Sequence, residues 1–407
     1  MTAWLADESL SRSTIGLFGA VFAVYSINFL WSPLVDRIKL PYLGQRRGWI
    51  ITMQTIIAIA CVFMSTLDAQ QSLYTMAFIG VIIGLASATQ DIAIDAFRID
   101  VIDENEKDKL SAASSVATAG WWTGYGGLGA IPFFLVDFTQ LQWPDIYLFM
   151  AAGMGLLMMA TLWSKEPVVN RAETLQAAAQ RYEHSTGQQN ALLTWLLVTL
   201  VEPFREFFTR NGVQFALSIL LFIFLFKIGE AFLGKMSLVF YKEIGFSNAE
   251  IGSLSKLLNW GVTIIFSIIG GMVNIKYGIY RGLMIAGIAM AASNLMFSVI
   301  ALVGPNPWLF AATVIVDGFT ASWSTVAMVA FISLMCNKTF SATQYALMAS
   351  LSVAGRTVLA STSGFLVDGL NGNWSLFFLL TALMVIPSLL FLRALKDKIT
   401  EQEQNSV

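Results

Sequence analysis

The chain has 407 residues, of which 56% are hydrophobic and only 12% are charged. A soluble domain carries about 25% charged residues, so this composition excludes a water-soluble globule. The 24 Lys and Arg are balanced by 26 Asp and Glu, so no basic excess favours nucleic acid as a partner. Both cysteines lie in apolar stretches, and the single histidine lies in a polar linker. We therefore expect no disulfide framework, no metal, no cofactor and no enzymatic activity.

Apolar runs that are long enough to cross a bilayer follow one another along most of the chain. A helix needs about 20 apolar residues to span a hydrocarbon core of ~30 Å. Eleven runs meet this length, at about 14–35, 48–67, 73–97, 112–136, 146–164, 213–241, 249–272, 281–303, 307–335, 343–367 and 374–395. This pattern predicts an all-α membrane protein with about 11 transmembrane helices.

The long connection at 165–212 separates the first five runs from the last six. It begins with a charged, Ala- and Gln-rich stretch and continues with an apolar run that is interrupted by Glu202 and Pro203. This run is too short to span, so we expect an interfacial helix there. Lys and Arg concentrate after the first run, in the linker and near the C-terminus. The positive-inside rule therefore places the linker and the C-terminus in the cytoplasm and residue 1 outside.

An internal repeat relates the two groups of runs. The turn GQRRG at 44–48 aligns with GIYRG at 278–282, at an offset of 234 residues. Repeated halves are typical of secondary transporters. We predict an N-terminal bundle at 1–164 that holds the second to sixth helices of a six-helix unit, and a C-terminal six-helix bundle at 213–395. The cytoplasmic linker at 165–212 joins them, and a cytoplasmic tail follows at 396–407.

The first run of the second half, 213–241, has no counterpart in the first half. The run 213–241, carried back by 234 residues, would begin before residue 1, so we expect MTAWLA to be the outer end of a helix. A start codon placed too late, a truncated coding region and a protein that works with eleven helices are the three alternatives. We favour the first two, because an outward N-terminus has no obvious origin without an upstream helix. An upstream reading frame that encodes about 20 more apolar residues would decide between them.

Two bundles joined by a long linker resemble the plan of the major facilitator superfamily, in which the bundles surround a central cavity. The turn with Asp36, Arg37, Arg46 and Arg47 is similar to the superfamily's signature loop between the second and third helices. Arg and Asp at such a turn can clamp helix ends through charge-assisted hydrogen bonds that break and re-form as the halves rock. We therefore predict a gating loop, with positive-inside anchoring alone as the alternative.

Ionisable residues at membrane depth cost several kcal/mol, so each one is a candidate functional residue. The candidates inside the predicted spans are Asp91, Asp95, Lys227, Glu230, Lys235, Lys256, Asp317 and Arg356. In the superfamily plan the first, fourth, seventh and tenth helices line the cavity. The five charges nearest the middle of their helices lie on the predicted fourth, seventh and tenth helices, at 73–97, 213–241 and 307–335; they are Asp91, Asp95, Lys227, Glu230 and Asp317.

The fourth helix carries two carboxylates on one face. Ser87, Asp91, Asp95 and Arg98 follow one another at steps of four, four and three residues. Carboxylates one turn apart resist being ionised together, which suits a proton carrier. We predict that Asp91 and Asp95 take part in proton coupling. The alternative for Asp95 is a structural ion pair with Arg98.

The seventh helix places Lys227 and Glu230 three residues apart, near the middle of the bilayer. This pair is either an internally compensated ion pair or a switch, in which protonation of Glu230 frees Lys227 for an anionic substrate group. Further substrate-binding candidates offer hydrogen bonds or charge from the fourth, eighth, tenth and eleventh helices; they are Gln90, Asn259, Asp317, Thr320, Ser324 and Arg356. The Arg356 guanidinium either holds a substrate carboxylate or neutralises Asp317.

Several strings together resemble the AmpG-type muropeptide permeases. They are INFLWSPLVDR (27–37), GQRRGW (44–49), SATQDIAIDAFRIDV (87–101), EPFREFFTRN (202–211), FKIGEAF (226–232) and LMCNKTFSATQYALMASLSVAGR (334–356). The resemblance implies a proton-driven importer in the bacterial inner membrane, which carries GlcNAc-anhydroMurNAc-peptides into the cytoplasm. Such import serves peptidoglycan recycling and feeds the signal that induces β-lactamase. The partners implied are the muropeptide, protons and membrane lipids, and we expect a monomer.

Three other functions compete with this one. A carrier of the same fold for acetyl-CoA would need several basic groups against the phosphates of its cargo, and the spans offer few cations. A membrane-embedded enzyme of envelope synthesis would need a catalytic constellation at one membrane face, for which Asp91 and Asp95 are the available pair. An inactive or sensor-like paralogue is favoured if the gene has no first helix.

Overall fold

The computed structural model describes residues 2–8, 24–25, 27–40, 43–103, 106, 109–186, 191–247, 250–251, 254 and 258–404. Within these ranges every regular element is a helix, as the sequence predicted. Much of the predicted run 14–35 lies outside the described residues, and so does the candidate Lys256.

Eight helical segments of the described chain are long and apolar enough to cross a membrane. They are Gln45–Met64, Leu73–Asp100, Trp143–Trp163, Val213–Ile244, Asn259–Tyr277, Ile279–Val303, Pro307–Met335 and Trp374–Ala394. Each falls on one of the eleven predicted runs. Two of them contain a break: Val213–Leu225 is followed by Ile228–Ile244, and Trp374–Leu383 by Ile386–Ala394. The second break precedes Pro387, which lacks the N–H that a continuous helix needs.

The predicted runs 112–136 and 343–367 form interrupted helices. The first consists of Lys109–Trp122, a π-helical turn at Thr123–Gly127, a 3-10 turn at Leu128–Ala130 and the helix Ile131–Phe138. Its middle is the glycine-rich string TGYGGLGAIP, which has little helix propensity. The second run consists of Ser341–Ala360 and Ser363–Gly369.

Short helices occupy the region before Gln45, the linker, the turn before Ser341 and the tail. They are Thr2–Asp7, Asn28–Leu30, Ser32–Arg37, Ala172–Thr186, Ala191–Leu200, Glu202–Asn211, Lys338–Phe340 and Lys396–Gln404. The interfacial helix predicted for the linker is divided at Val201, so that Pro203 stands in the first turn of the second piece, where its missing N–H costs nothing.

One compact unit comprises Met1–Val101, Ala130–Phe207 and Cys336–Ser350. The helices Gln45–Met64, Leu73–Asp100 and Trp143–Trp163 pack together in it. A second apolar cluster joins Val35, Ile50 and the fourth-helix residues around Ala93 to Ala342 and Ala346. The start of the Ser341–Ala360 helix is therefore part of the same core as the first helices of the chain.

The other compact unit comprises Ile102–Gly129, Phe208–Met335 and Leu351–Val407. Its core is rich in aromatic rings, including Phe240, Tyr241, Phe310 and Phe378. A Cβ on Gly271 would overlap the Ser115 side chain, so a glycine is needed where these two helices meet. The two units cut across the predicted halves. Units defined by compact packing need not coincide with halves defined by a sequence repeat, so the domain boundaries inferred from the repeat stay a prediction.

A glutamate caps a helix at each of the two repeated turns. Gly44 has φ +90°, and the Glu166 carboxylate accepts hydrogen bonds from the N–H groups of Arg46 (2.7 Å) and Arg47 (2.9 Å). In the other unit Gly278 has φ +84°, and the Ile279 N–H donates to Glu403. Both carboxylates satisfy N–H groups that the first turn of a helix leaves open. The two turns that repeat in the sequence thus share one structural feature, a helix N-terminus that is capped by a glutamate carboxylate.

Candidate functional site

A buried ion network lies around the predicted gating turn. The Arg46 side chain is fully buried and donates from Nε to Asp100 (2.7 Å) and from Nη2 to Asp36 (2.7 Å). It also donates to the Val35 carbonyl (3.1 Å) and to the Ser341 hydroxyl (2.8 Å). A buried guanidinium is tolerated when its charge and its donors are satisfied in this way.

Asp36 joins this network to the start of the Ser341–Ala360 helix. Its carboxylate accepts hydrogen bonds from the N–H groups of Ala342 (3.1 Å) and Thr343 (2.8 Å) and from the Thr343 hydroxyl (2.7 Å). The Ser341 hydroxyl donates to Asp100 (2.7 Å). A carboxylate at a helix N-terminus is favoured by the free N–H groups and by the helix dipole. Arg46 and Asp36 thus bond to the start of a helix, and their gating role stays a prediction.

The two other predicted gating residues lie apart from the network. Arg47 donates to the carbonyls of Thr161 (3.1 Å) and Leu162 (2.6 Å), at the end of the Trp143–Trp163 helix. The Arg37 side chain makes no hydrogen bond or ion pair to the residues that the structure describes. These positions are compatible with anchoring by positive charge.

The network also contains residues that the sequence reasoning missed. Asp100 ends the fourth helix, and Ser341 and Thr343 lie more than 200 residues further along the chain. Arg171 reaches in from the linker, where it pairs with Asp100 and donates to Gln45 (3.1 Å). Burial and the nearby Arg46 guanidinium lower the pKa of Arg171, and they outweigh the Asp100 carboxylate, which raises it. Asp100 lies within the string SATQDIAIDAFRIDV, and this string is the sequence signal by which Asp100 could have been predicted as a site residue.

The two predicted carboxylates of the fourth helix have different surroundings. Asp95 forms an ion pair with Arg98 (3.1 Å), and Tyr345 lies within hydrogen-bonding reach of it. The Arg98 guanidinium lies 5.1 Å from the centre of the Tyr345 ring. Asp91 is exposed, and its carboxylate has no hydrogen bond or ion pair to the described part of the chain. This geometry favours the structural alternative for Asp95 and leaves Asp91 as the available carboxylate.

Polar groups accompany Asp91 on its helix. One turn earlier, Ser87 accepts a hydrogen bond from the Tyr25 hydroxyl (2.6 Å). The neighbouring Gln90 has a buried Oε1 that accepts no hydrogen bond from the described residues. An unsatisfied buried acceptor is costly unless a water or ligand completes it. Gln90 is therefore retained as a ligand-binding candidate.

In the other compact unit, Lys227 lies at the break between Val213–Leu225 and Ile228–Ile244. Its Nζ is 2.8 Å from a Glu230 carboxylate oxygen and donates to the Thr325 hydroxyl (2.6 Å). The Ala321 carbonyl, at 3.3 Å, accepts a further hydrogen bond. The predicted pair is formed, and all three donors of the ammonium are used. Lys227 becomes available to a substrate only if Glu230 releases it.

The predicted polar stripe of the tenth helix is partly occupied by protein contacts. Asp317 accepts a hydrogen bond from the Ser293 hydroxyl (3.1 Å), to which Thr320 also donates (3.1 Å). The Ser324 hydroxyl donates to the Ala321 carbonyl of its own helix (3.0 Å). Asn259 lies against Gly318, where a Cβ would be 2.7 Å from its Oδ1. The structure thus brings Asp317 and Thr320 to the same Ser293 hydroxyl, and it places Asn259 against Gly318 of the same helix.

Arg356 is a predicted cation whose side chain is available to a ligand. It is exposed on the Ser341–Ala360 helix, and its guanidinium has no hydrogen bond or ion pair to the described residues. Lys227 is one of its charged neighbours. The preceding Gly355 lets this helix approach the Phe224 carbonyl, which a Cβ would overlap. Arg356 therefore lies beside the helix break that holds Lys227.

Comparisons with known proteins agree with this arrangement of helices. Two protein families match parts of the chain: "Acetyl-coenzyme A transporter 1" over residues 5–141 and "Major Facilitator Superfamily" over residues 219–406. Among solved structures, the proton:xylose symporter XylE bound to 6-bromo-6-deoxy-D-glucose superposes with a TM-score of 0.66 at 14% identity, covering 97% of this chain and 89% of that one. This likeness establishes the major facilitator fold.

Two curated relatives are similar over most of their length. The anhydromuropeptide permease of Escherichia coli strain K12 is 32% identical over 395 residues, which cover 96% of this chain and 74% of that protein. The putative transporter AmpG 4 of Rickettsia conorii is 31% identical over 402 residues, which cover 98% of this chain and 92% of that protein.

Proposed function

The chain belongs to the AmpG family of permeases within the major facilitator superfamily, and on this premise we propose that it is a proton-driven importer of anhydromuropeptides. It is a multi-pass membrane transporter. In our proposal it acts in the bacterial inner membrane, with its C-terminus in the cytoplasm. The imported muropeptide then enters peptidoglycan recycling and supplies the signal that induces β-lactamase.

The cargo assignment is carried by the near-full-length match to an anhydromuropeptide permease. The chemistry of the site supports it. Muropeptides carry carboxylates on the stem peptide, together with amides and sugar hydroxyls. The exposed guanidinium of Arg356, which is without an ion pair among the described residues, is suited to bind a carboxylate with two parallel hydrogen bonds. Gln90 offers an amide with an unused acceptor.

We assign proton coupling first to Asp91. Asp95 and Glu230, the two other candidates, each have a cationic partner at 3.1 Å or less. Protonation of a carboxylate in a buried ion pair is unfavourable, because it leaves the charge of the cationic partner uncompensated. Asp91 has no such partner in the described chain, so it can take up and release a proton without breaking an ion pair. Glu230 stays a second candidate, since its protonation would free Lys227.

The Asp36 and Arg46 network is proposed to be a gate. It joins residues of the first helices to the start of the Ser341–Ala360 helix through hydrogen bonds that are mostly charge-assisted. Such bonds are short and directional, so they hold one arrangement firmly and are lost together when the helix end moves away. The transport cycle in this proposal breaks and re-forms them.

The experiment is uptake of labelled anhydromuropeptide into energised membrane vesicles. Asp91→Asn is expected to abolish proton-driven uptake, because an amide carries no exchangeable acidic proton at this position. Asp95→Asn serves as the matched variant on the same face and is expected to lower stability through its Arg98 contact. Full uptake by a folded Asp91→Asn protein would reject the role of Asp91, and no uptake by the parent protein would reject the cargo.

The second candidate is an acetyl-CoA carrier, which the family match over residues 5–141 favours. Its cargo carries several phosphate charges, so it calls for a cluster of available cations. In the described chain Lys227 and Arg98 are ion-paired within their helices, which leaves few cations to meet those phosphates. Competition of muropeptide uptake by excess acetyl-CoA would favour this candidate, and absence of competition would exclude it at that site.

A further inference from the structure

Two sequence strings contact each other in the structure through side chains that the transport proposal does not use. EPFREFFTRN belongs to the linker helix Glu202–Asn211, and CNKTFSATQ contains the turn that opens the Ser341–Ala360 helix. Glu206 of the first string accepts hydrogen bonds from the Asn337 amide (3.0 Å) and from the Gln344 amide (2.6 Å) of the second. We propose that the linker helix Glu202–Asn211 is a strap that holds the gate helix, with Glu206 as its positioning residue.

The orientation of both amides is set by backbone partners. Asn337 accepts the Thr339 N–H at its Oδ1 (2.8 Å), which leaves its NH2 group for Glu206. Gln344 accepts the Asn337 N–H at its Oε1 (2.7 Å) and donates to the Pro203 carbonyl (3.0 Å) as well as to Glu206. Two donors therefore converge on one side chain, and a group with two acceptor oxygens satisfies both. A glutamate meets this requirement and a glutamine does not.

The strap acts on the residue next to the gate contact. Thr343 binds Asp36 of the gate, and Gln344, which is only 2% exposed, binds Glu206 of the strap. Two carboxylates from different segments thus hold consecutive residues of one helix start. The linker has a second attachment at its beginning, where Arg171 pairs with Asp100. The structure therefore ties both ends of the linker to the network that closes the helix end.

The consequence is that the linker sets how readily the gate opens. Movement of the helix start away from Asp36 pulls on Gln344 and Asn337, so it must carry the strap along or break its hydrogen bonds. Loosening the strap lowers the stability of the closed arrangement while leaving Asp36 and Arg46 in place. The strap rests on the gate proposed above and is independent of the cargo.

A cysteine reporter in the gate region tests the strap. Ala346 is 4% exposed and packs in the cluster with Val35 and Ala93, so Ala346→Cys is shielded while the gate is closed. The reporter is placed in the full chain with Cys61→Ala and Cys336→Ala. Its rate of reaction with a hydrophilic maleimide is measured in unsealed membranes, where the reagent reaches both faces.

The variants form a cycle. Glu206→Gln turns an amide donor toward an amide donor, and Asn337→Asp places a carboxylate against Glu206. Each is expected to raise the labelling rate about tenfold or more, since a hydrogen bond to a charged group contributes about 1.5–3 kcal/mol. In the double variant the new glutamine donates to the new aspartate and accepts from Gln344, so labelling returns toward the parent rate. Rescue of this kind is not expected of two merely destabilising changes.

Glu202→Gln is the matched control on the same helix. In the described chain the Glu202 partners are Arg181, Tyr182 and Arg205, all within the linker, so this variant is expected to label at the parent rate. If Glu206→Gln does not fold, Glu206→Asp takes its place, because the shorter side chain cannot reach both amides. Parent-like labelling of the single variants, or a double variant that labels as fast as they do, would overturn the strap. Because no cargo is present, the result is separate from the fate of the transport proposal.

Discussion

The replacement of Asp36 by asparagine tests whether the gate network stabilises the protein as its geometry indicates. The carboxylate binds Arg46 and the Ala342 N–H through Oδ1, and the Thr343 N–H and hydroxyl through Oδ2. In Asp36→Asn one oxygen becomes an NH2 group. If the oxygen stays with Arg46, the new donor faces the Thr343 N–H; in the other orientation it faces the buried guanidinium.

The magnitude follows from the burial of Arg46. Removing one partner of a buried ion pair costs about 3–5 kcal/mol, because the remaining charge loses its compensation. Asp100 still faces Arg46 at 2.7 Å, so the lower end of this range is expected. A loss of about 3 kcal/mol is a large part of a total stability of about 5–15 kcal/mol.

The assay is chemical denaturation of the purified protein in mixed micelles, followed by tryptophan fluorescence. Arg37→Gln is the matched control one residue away, because Arg37 has no ion pair among the described residues. It is expected to change the free energy of unfolding by at most about 0.5 kcal/mol. Equal stability of the Asp36→Asn and Arg37→Gln proteins would refute the assignment of stabilising energy to the network.

Three further predictions concern other parts of the chain. Gly44→Ala is expected to destabilise more than Gly212→Ala in thermal melting: both glycines have positive φ, but a Cβ at Gly44 would be 2.5 Å from Glu166, whereas nothing lies within 4 Å at Gly212. Burial raises the pKa of Glu403 above its ordinary 4.5. The stability that the protonated Glu403 side chain contributes is therefore fully present below pH 4.5 and is lost as the pH rises through the raised pKa. Glu403→Gln should remove this component from the pH dependence of melting; an unchanged pH profile contradicts it. Arg356→Gln is expected to raise the KM for muropeptide uptake about tenfold or more, and an unchanged KM would exclude the carboxylate contact.

Local sequence information was sufficient for the helices and for contacts within one helix. Runs of about 20 apolar residues identify spans because backbone groups in a bilayer must be satisfied within the segment. The pairs Lys227 with Glu230 and Asp95 with Arg98 follow from the three-residue spacing of a helix face, and both are formed. The glycine turns at 44–48 and 278–282 were likewise visible as a repeat, and each holds a capped helix end.

Contacts between distant segments could not be read from spacing. Asp36 and Thr343 are 307 residues apart, and Glu206 and Gln344 are 138 apart. Periodicity reports which face of a helix a residue occupies, and it carries no information on which other helix meets that face. Arg37 and Arg46 look alike in the sequence, yet only Arg46 is buried between two carboxylates.

The sequence by itself therefore determined that this is an all-α membrane transporter and which few charges fall within its apolar runs, because hydrophobic length and charge cost are local properties. The tertiary structure decided which of those charges have partners. It paired Glu230 and Asp95 with cations, left Asp91 and Arg356 without ion pairs among the described residues, and assembled the proposed gate from segments far apart in the chain. The availability of a charge depends on its neighbours in space, and packing alone brings those neighbours together.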